Sequence, residues 1–134
     1  MQTPFKQGTI VLASRDEELA EMVGQALAAL GKQAPRLSMV HNLPDALVAT
    51  RLLSPSLMLL DDGIEGGPGV ELLDQVLEAS PGMPVVYLAS QHSLDLERTI
   101  RRRGVLFYIA KPEEKEVLQS TFCSVFQCLA RSFR

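Results

Sequence analysis

The chain has 134 residues, a formal net charge of −3 at pH 7 and 46% hydrophobic residues. That length and apolar content suit one compact domain, so residues 1–134 are expected to form a single unit with its core between about 8 and 130. The balance excludes a disordered charged tail and bulk nucleic-acid binding. No apolar run approaches the roughly 20 residues that span a bilayer, and MQTPFKQ lacks a signal-peptide pattern, so the expectation is a cytoplasmic protein without a membrane partner.

Gly8 to Ala13 (GTIVLA) reads as a buried strand, and Glu17 to Leu30 as a helix stopped by Gly31. Pro35 to His41 reads as a weaker strand, followed by a helix with Pro44 in its first turn that runs to about Leu53. Ser54 to Leu60 forms a third strand leading into Asp61, and Pro68 begins a helix carrying Val70, Leu72, Leu73, Val76 and Leu77 on one face. Pro84 to Ser90 is a fourth strand, with a charged helix from about Ser93 to Arg103 stopped by Gly104. Val105 to Ala110 is the fifth strand, and a last helix runs from about Glu113 to near the end. Strands this apolar on both faces belong in a parallel sheet covered by helices on both sides. The predicted fold is therefore α/β, a doubly wound, flavodoxin-like (βα)5 sheet of order 2-1-3-4-5.

Cys123 and Cys128 lie five apart on a helix, cannot easily bridge or share a metal, and read as buried or half-buried small hydrophobes. Neither histidine has a second ligand at metal-binding spacing, so no metal site is expected from them.

In a doubly wound sheet the functional site lies outside the carboxyl ends of the strands, here residues 14–17, 61–63, 89–91 and 111–112. Asp61 ends an apolar strand, where a carboxylate either caps the next loop, as Asp62 equally can, or attacks a phosphoryl group. Lys111 ends the neighbouring strand in FYIAKP and can set its ammonium against that carboxylate or against phosphoryl oxygens. The segment Gly63 to Gly69 (GIEGGPG) lacks the Gly-Lys-Ser/Thr ending of a phosphate loop and reads as a flexible loop beside Asp61. No Ser-His-Asp or Cys-His constellation points to an enzyme.

The segments PSLMLLDDGIEGGPGVELL, PVVYLAS and GVLFYIAKP resemble the third, fourth and fifth strands of the response-regulator receiver family, with fitting spacing from Asp61 to Pro112. The resemblance implies that Asp61 is the phosphoacceptor, that Lys111 contacts the phosphoryl group, that the bond to Pro112 is cis, and that Tyr108 is the aromatic that changes rotamer on activation. It breaks where the family ends its first strand with two acidic residues that hold magnesium: here stand Ser14 and Arg15. It breaks again at Ala89, which occupies the place of the family's switch hydroxyl; Ser90 follows, with its side chain expected on the opposite face unless the strand end is irregular. Two readings of Arg15 are open: its guanidinium fills the metal position and pairs with Asp61, or it points to solvent. Asp16 and Glu17 supply either a displaced metal ligand or favourable charge at the start of the first helix.

On the fourth helix, Arg98, Arg101 and Arg102, with Arg103 beside them, form a basic stripe that is either a solvated face balanced by Asp95 and Glu97 or a contact surface for an acidic partner or a phosphate-bearing ligand. Nucleic acid is disfavoured because the patch is short and lacks aromatics. The last helix carries Val117, Leu118, Phe122, Val125, Phe126 and Leu129 on a broad face, and beyond Phe126 the chain is read as running past the sheet, either as the start of a connecting helix to a fused output domain or as the tail of a stand-alone regulator.

The favoured reading is a degenerate receiver, a pseudo-receiver that needs no cofactor and works as a protein-interaction or dimerisation module. Its surface would be the one that the resemblance implies, made of the fourth helix, fifth strand and last helix. The alternative is a working phosphoacceptor that uses magnesium and is phosphorylated on Asp61 by a sensor histidine kinase.

Overall fold

The computed structural model describes residues 8–65 and 68–132; MQTPFKQ, Gly66 and Gly67 of the glycine-rich loop, and residues 133–134 lie outside them. Strands β1 (Thr9–Ala13), β2 (Arg36–Val40), β3 (Leu57–Asp61), β4 (Val85–Ala89) and β5 (Phe107–Ala110) alternate with helices α1 (Glu17–Ala28), α2 (Leu43–Leu52), α3 (Gly69–Ala79), α4 (Leu94–Arg101) and α5 (Lys115–Ser132). The sheet is parallel throughout, in the order β2-β1-β3-β4-β5 expected from the pattern. The central β3 and β4 are buried at every position, which is why they carry no polar alternation.

Side-chain alternation divides the core in two. Ile10, Leu12, Leu57, Leu59, Val86, Leu88 and Ile109 pack under α1 and α5, whereas Val11, Ala13, Met58, Leu60, Val85, Tyr87 and Ala89 pack under α2, α3 and α4. Helix starts are set by side chains that accept otherwise unpaired amides: Asp16 takes those of Glu18 and Leu19, Asn42 that of Asp45, and Ser93 that of Leu96. Gly31 and Gly104, at φ +68° and +81°, end the first and fourth helical segments as their positions in the sequence suggest.

Several expectations are corrected in detail. Val117 is exposed, because it lies on the solvent side of α5 while Leu118, Phe122, Val125 and Phe126 face the sheet. Packing continues through Leu129, so the helix does not leave the core at Phe126. Cys128 is exposed and only Cys123 is half-buried, since a five-residue step turns the two apart on the helix.

Phe122 is fully buried and stacks on Phe126 with ring centroids 6.0 Å apart. Phe122→Ala is expected to destabilise the protein by about 3–5 kcal/mol, while Val117→Ala stays within about 0.5 kcal/mol. Urea denaturation of both variants checks the division of α5 into a core face and an outer face.

Candidate functional site

Four strand ends meet above the sheet, and alternation decides what each contributes. Asp61 continues the Leu57–Leu59 face, Ser14 the Ile10–Leu12 face and Lys111 the face of Ile109, all on the α1–α5 side. The three side chains converge. Ser14 Oγ donates to Asp61 Oδ2 at 2.6 Å, Lys111 Nζ donates to Asp61 Oδ1 at 2.5 Å, and the Gly63 amide donates to the same oxygen at 3.0 Å. Asp61 is only 3% exposed and Ser14 is fully buried. A buried carboxylate is tolerated only with such a set of donors. Ser14 is itself held by the Asp16 amide, which donates to its Oγ at 3.0 Å.

Ser90 lies on the face opposite Ala89, as expected, but that is the face on which Asp61 and Lys111 meet. Lys111 Nζ donates to Ser90 Oγ at 3.3 Å, so a hydroxyl stands at the pocket one residue beyond the position assigned by resemblance. Ala89 is buried in the α2–α4 half of the core. The sheet register was the missing signal, because Asp61 lies opposite Leu88 and Leu88 shares its face with Ser90.

Arg15 does not enter the site. Its Nη1 pairs with Glu65 Oε1 at 2.5 Å, both side chains being mostly exposed, and this ion pair ties the β1–α1 loop to the β3–α3 loop. Asp16 serves as the cap of α1. The Lys111–Pro112 bond is trans, as is every described peptide bond, which corrects the cis bond implied by resemblance. Trans is the default even before proline, by about 0.5–1 kcal/mol. The Lys111 amide still donates to Ala89 O at 3.0 Å, which extends the β4–β5 pairing and delivers Nζ to Asp61.

The neighbouring carboxylate serves the other face. Asp62 Oδ2 accepts from the buried Tyr87 hydroxyl at 2.8 Å, and its Oδ1 accepts from the Ser90 amide at 2.9 Å. Gly69 makes room for this bond, since a methyl group there would collide with Tyr87 Oη. Tyr87 and Asp62 were overlooked as a pair, although a tyrosine inside an otherwise aliphatic strand signals a hydroxyl in need of a partner. Burial and the Asp62 charge push the Tyr87 hydroxyl pKa far above the ordinary tyrosine range. Tyr108 stacks on Tyr87, with centroids 5.8 Å apart and planes 6° from parallel; its hydroxyl lies 2.9 Å from His92 Nδ1.

Comparison with known proteins places this geometry in a familiar fold. No protein-family model and no curated protein matches the chain. Among solved structures, it is similar to the phosphorylated cyanobacterial phytochrome response regulator RcpA (TM-score 0.78, 21% identity, covering 90% of this chain and 92% of that one). It is also similar to the signal receiver domain of a LuxO repressor protein from Vibrio parahaemolyticus (TM-score 0.74, 21% identity, 93% and 92% covered). A third likeness is the response regulator receiver domain protein from Methanospirillum hungatei JF-1 (TM-score 0.71, 19% identity, 93% and 98% covered). The chain thus has the flavodoxin-like fold of receiver domains.

Lys111→Met removes the only cation paired with Asp61 among the described residues and is expected to cost about 3–5 kcal/mol at pH 7. Adding Asp61→Asn should restore part of this, because the charge left without its cation is then gone. Urea midpoints of the two single variants and the double variant measure the coupling. A second expectation concerns alkaline pH. Because the folded-state pKa of Tyr87 is raised, its stabilising contribution is complete below the unfolded value of about 10 and declines as pH climbs above it. Stability of the wild-type chain therefore falls more steeply above about pH 10 than that of Tyr87→Phe, as measured by denaturant titrations at stepped pH.

Proposed function

We propose that this chain is a receiver-like signalling domain in which the strand-end site is held closed by its own side chains, so that it acts mainly as a protein-interaction or dimerisation module. The observation that carries this reading is the pairing of both Asp61 oxygens with Ser14, Lys111 and the Gly63 amide. Magnesium does not fit the donor set. Asp61 is occupied, Asp62 is committed to Tyr87 and the Ser90 amide, Asp16 caps α1, and the position beside Ser14 carries a cation. Nothing in the site suggests an enzyme, and no helix among the described residues is long and apolar enough to cross a membrane. A cytoplasmic setting is part of the same proposal.

The partner surface is the one formed by α4, β5 and α5. Leu94, Leu106 and Val117 are exposed there, at 64%, 40% and 47%, a pattern suited to a covered face. Arg101 is paired with Glu97, and Arg103 reaches Asp74 on α3, where its guanidinium holds the Asp74 carboxyl below the usual carboxylate range. Arg98 and Arg102 remain exposed and suit an acidic rim on a partner or on a second copy. A fused output domain is compatible with the same surface.

A second reading, a working phosphoacceptor served by a sensor histidine kinase, is favoured by the Lys111 ammonium on Asp61 and by the Ser90 hydroxyl within 3.3 Å of it. The two are separated by adding magnesium with beryllofluoride or a small phosphodonor and following the amide resonances of residues 61–63, 90 and 111. The proposal expects no saturable change. Saturable, magnesium-dependent shifts that vanish in Asp61→Asn would replace it with the phosphoacceptor reading.

A further inference from the structure

Tyr87 belongs neither to the Asp61 pocket nor to an ordinary aliphatic core, and the contacts at its two ends explain its presence. Its side chain is wholly buried beneath α3 and α4. The hydroxyl end is bonded to Asp62, the first residue after Asp61, and the same carboxylate holds the Ser90 amide at the start of the β4–α4 connection. The ring lies nearly parallel to Tyr108, which touches His92 through its hydroxyl and has the Arg101 guanidinium 5.9 Å from its ring centre. A continuous line of contacts thus runs from the β3–α3 loop through Asp62, Tyr87 and Tyr108 to α4.

We propose that Tyr87 is the coupling residue of this domain, transmitting displacement of the loop after Asp61 to the Tyr108 and α4 face. The physical reason is the absence of slack. If the loop moves, Asp62 leaves the Tyr87 hydroxyl, and a buried phenol without an acceptor carries the penalty of an unsatisfied buried group. The ring therefore follows the loop. Gly69 bounds it on one side, so motion of the ring is transferred to the stacked ring of Tyr108. Motion of Tyr108 in turn disturbs its contacts with His92 and Arg101. This path uses no phosphoryl chemistry and does not depend on whether Asp61 is modified. A hydroxyl at residue 89 is not needed for it.

The test uses the full chain and NMR. Asp62→Ala should shift the Tyr108 ring protons and the amides of residues 107–110, and in a Tyr87→Phe background the same substitution should leave them in place. In the opposite direction, Tyr108→Ala should move the amides of Asp62 and Gly63, because coupling between two sites is reciprocal. A Tyr108 response to Asp62→Ala that persists in Tyr87→Phe would assign the path to the backbone between Ser90 and His92 and overturn the proposal. Unmoved Tyr108 resonances in the Asp62→Ala chain would also overturn it. If Tyr87→Phe fails to fold, Asp62→Ala in a His92→Ala background decides: a Tyr108 response that persists supports the route through Tyr87, and one that is lost assigns it to the backbone between Ser90 and His92 and overturns the proposal.

Discussion

Two adjacent carboxylates at the end of a fully buried strand are the constraint around which this domain is organised. β3 is covered on both faces, so its alternation carries straight into Asp61 and Asp62 and sends them to opposite sides of the sheet. Each must find donors where it emerges, because a carboxylate at the edge of a core has lost much of its water. On the α1–α5 side the donors are Ser14, the Gly63 amide and Lys111; on the α3–α4 side they are Tyr87 and the Ser90 amide. These two sets draw on four of the five strands and fix the loops above them. Arg15 and Glu65 add an exposed strap from the β1–α1 loop, worth little by itself but placed across the same loop.

The closed site follows from local charge. A receiver with two acidic residues at the end of its first strand gathers three carboxylates in one place, and a bound divalent cation relieves their repulsion. Ser14 is neutral, and one ammonium from Lys111 balances Asp61 without a metal. The position beside Ser14 is taken by Arg15, which turns outward to Glu65. Incoming phosphate would have to displace donors already bonded to both Asp61 oxygens. Moving a two-state equilibrium from 1:99 to 99:1 takes about 5.5 kcal/mol of differential interaction. On the proposed reading, in which the site works without magnesium, it has little from which to draw that amount.

The sheet order, the ten main elements and the positions of Asp61 and Lys111 were legible because they depend on local periodicity and on a rule about strand ends. The details that needed more were those set between strands. Ser90 could be placed opposite Ala89 from alternation, but which of the two faces held the site depended on the register of β3 against β4. Arg15 carried an attractive electrostatic role in the sequence, yet its partner Glu65 lies 50 residues away on a loop whose course local pattern does not encode. Val117 was misplaced because a broad apolar stripe on a helix does not show where its edge meets solvent. The cis bond at Pro112 came from resemblance alone and had no support in the residues themselves.

The same alternation gives the two tyrosines a common logic. Tyr87 and Tyr108 are direct register partners on parallel strands, so their side chains stand side by side on one face and their rings can stack. Tyr87 is inside and Tyr108 is at the margin, which makes the pair a bridge between core and surface. An aliphatic side chain at residue 87 would fill space but would leave Asp62 without its hydroxyl donor and the Ser90 amide without a fixed acceptor. The loop carrying Gly63, one of the donors to Asp61, would then be held less firmly. The pocket on one face and the tyrosine pair on the other are thus joined twice, through the peptide unit between Asp61 and Asp62 and through Ser90, whose amide donates to Asp62 while its hydroxyl accepts from Lys111.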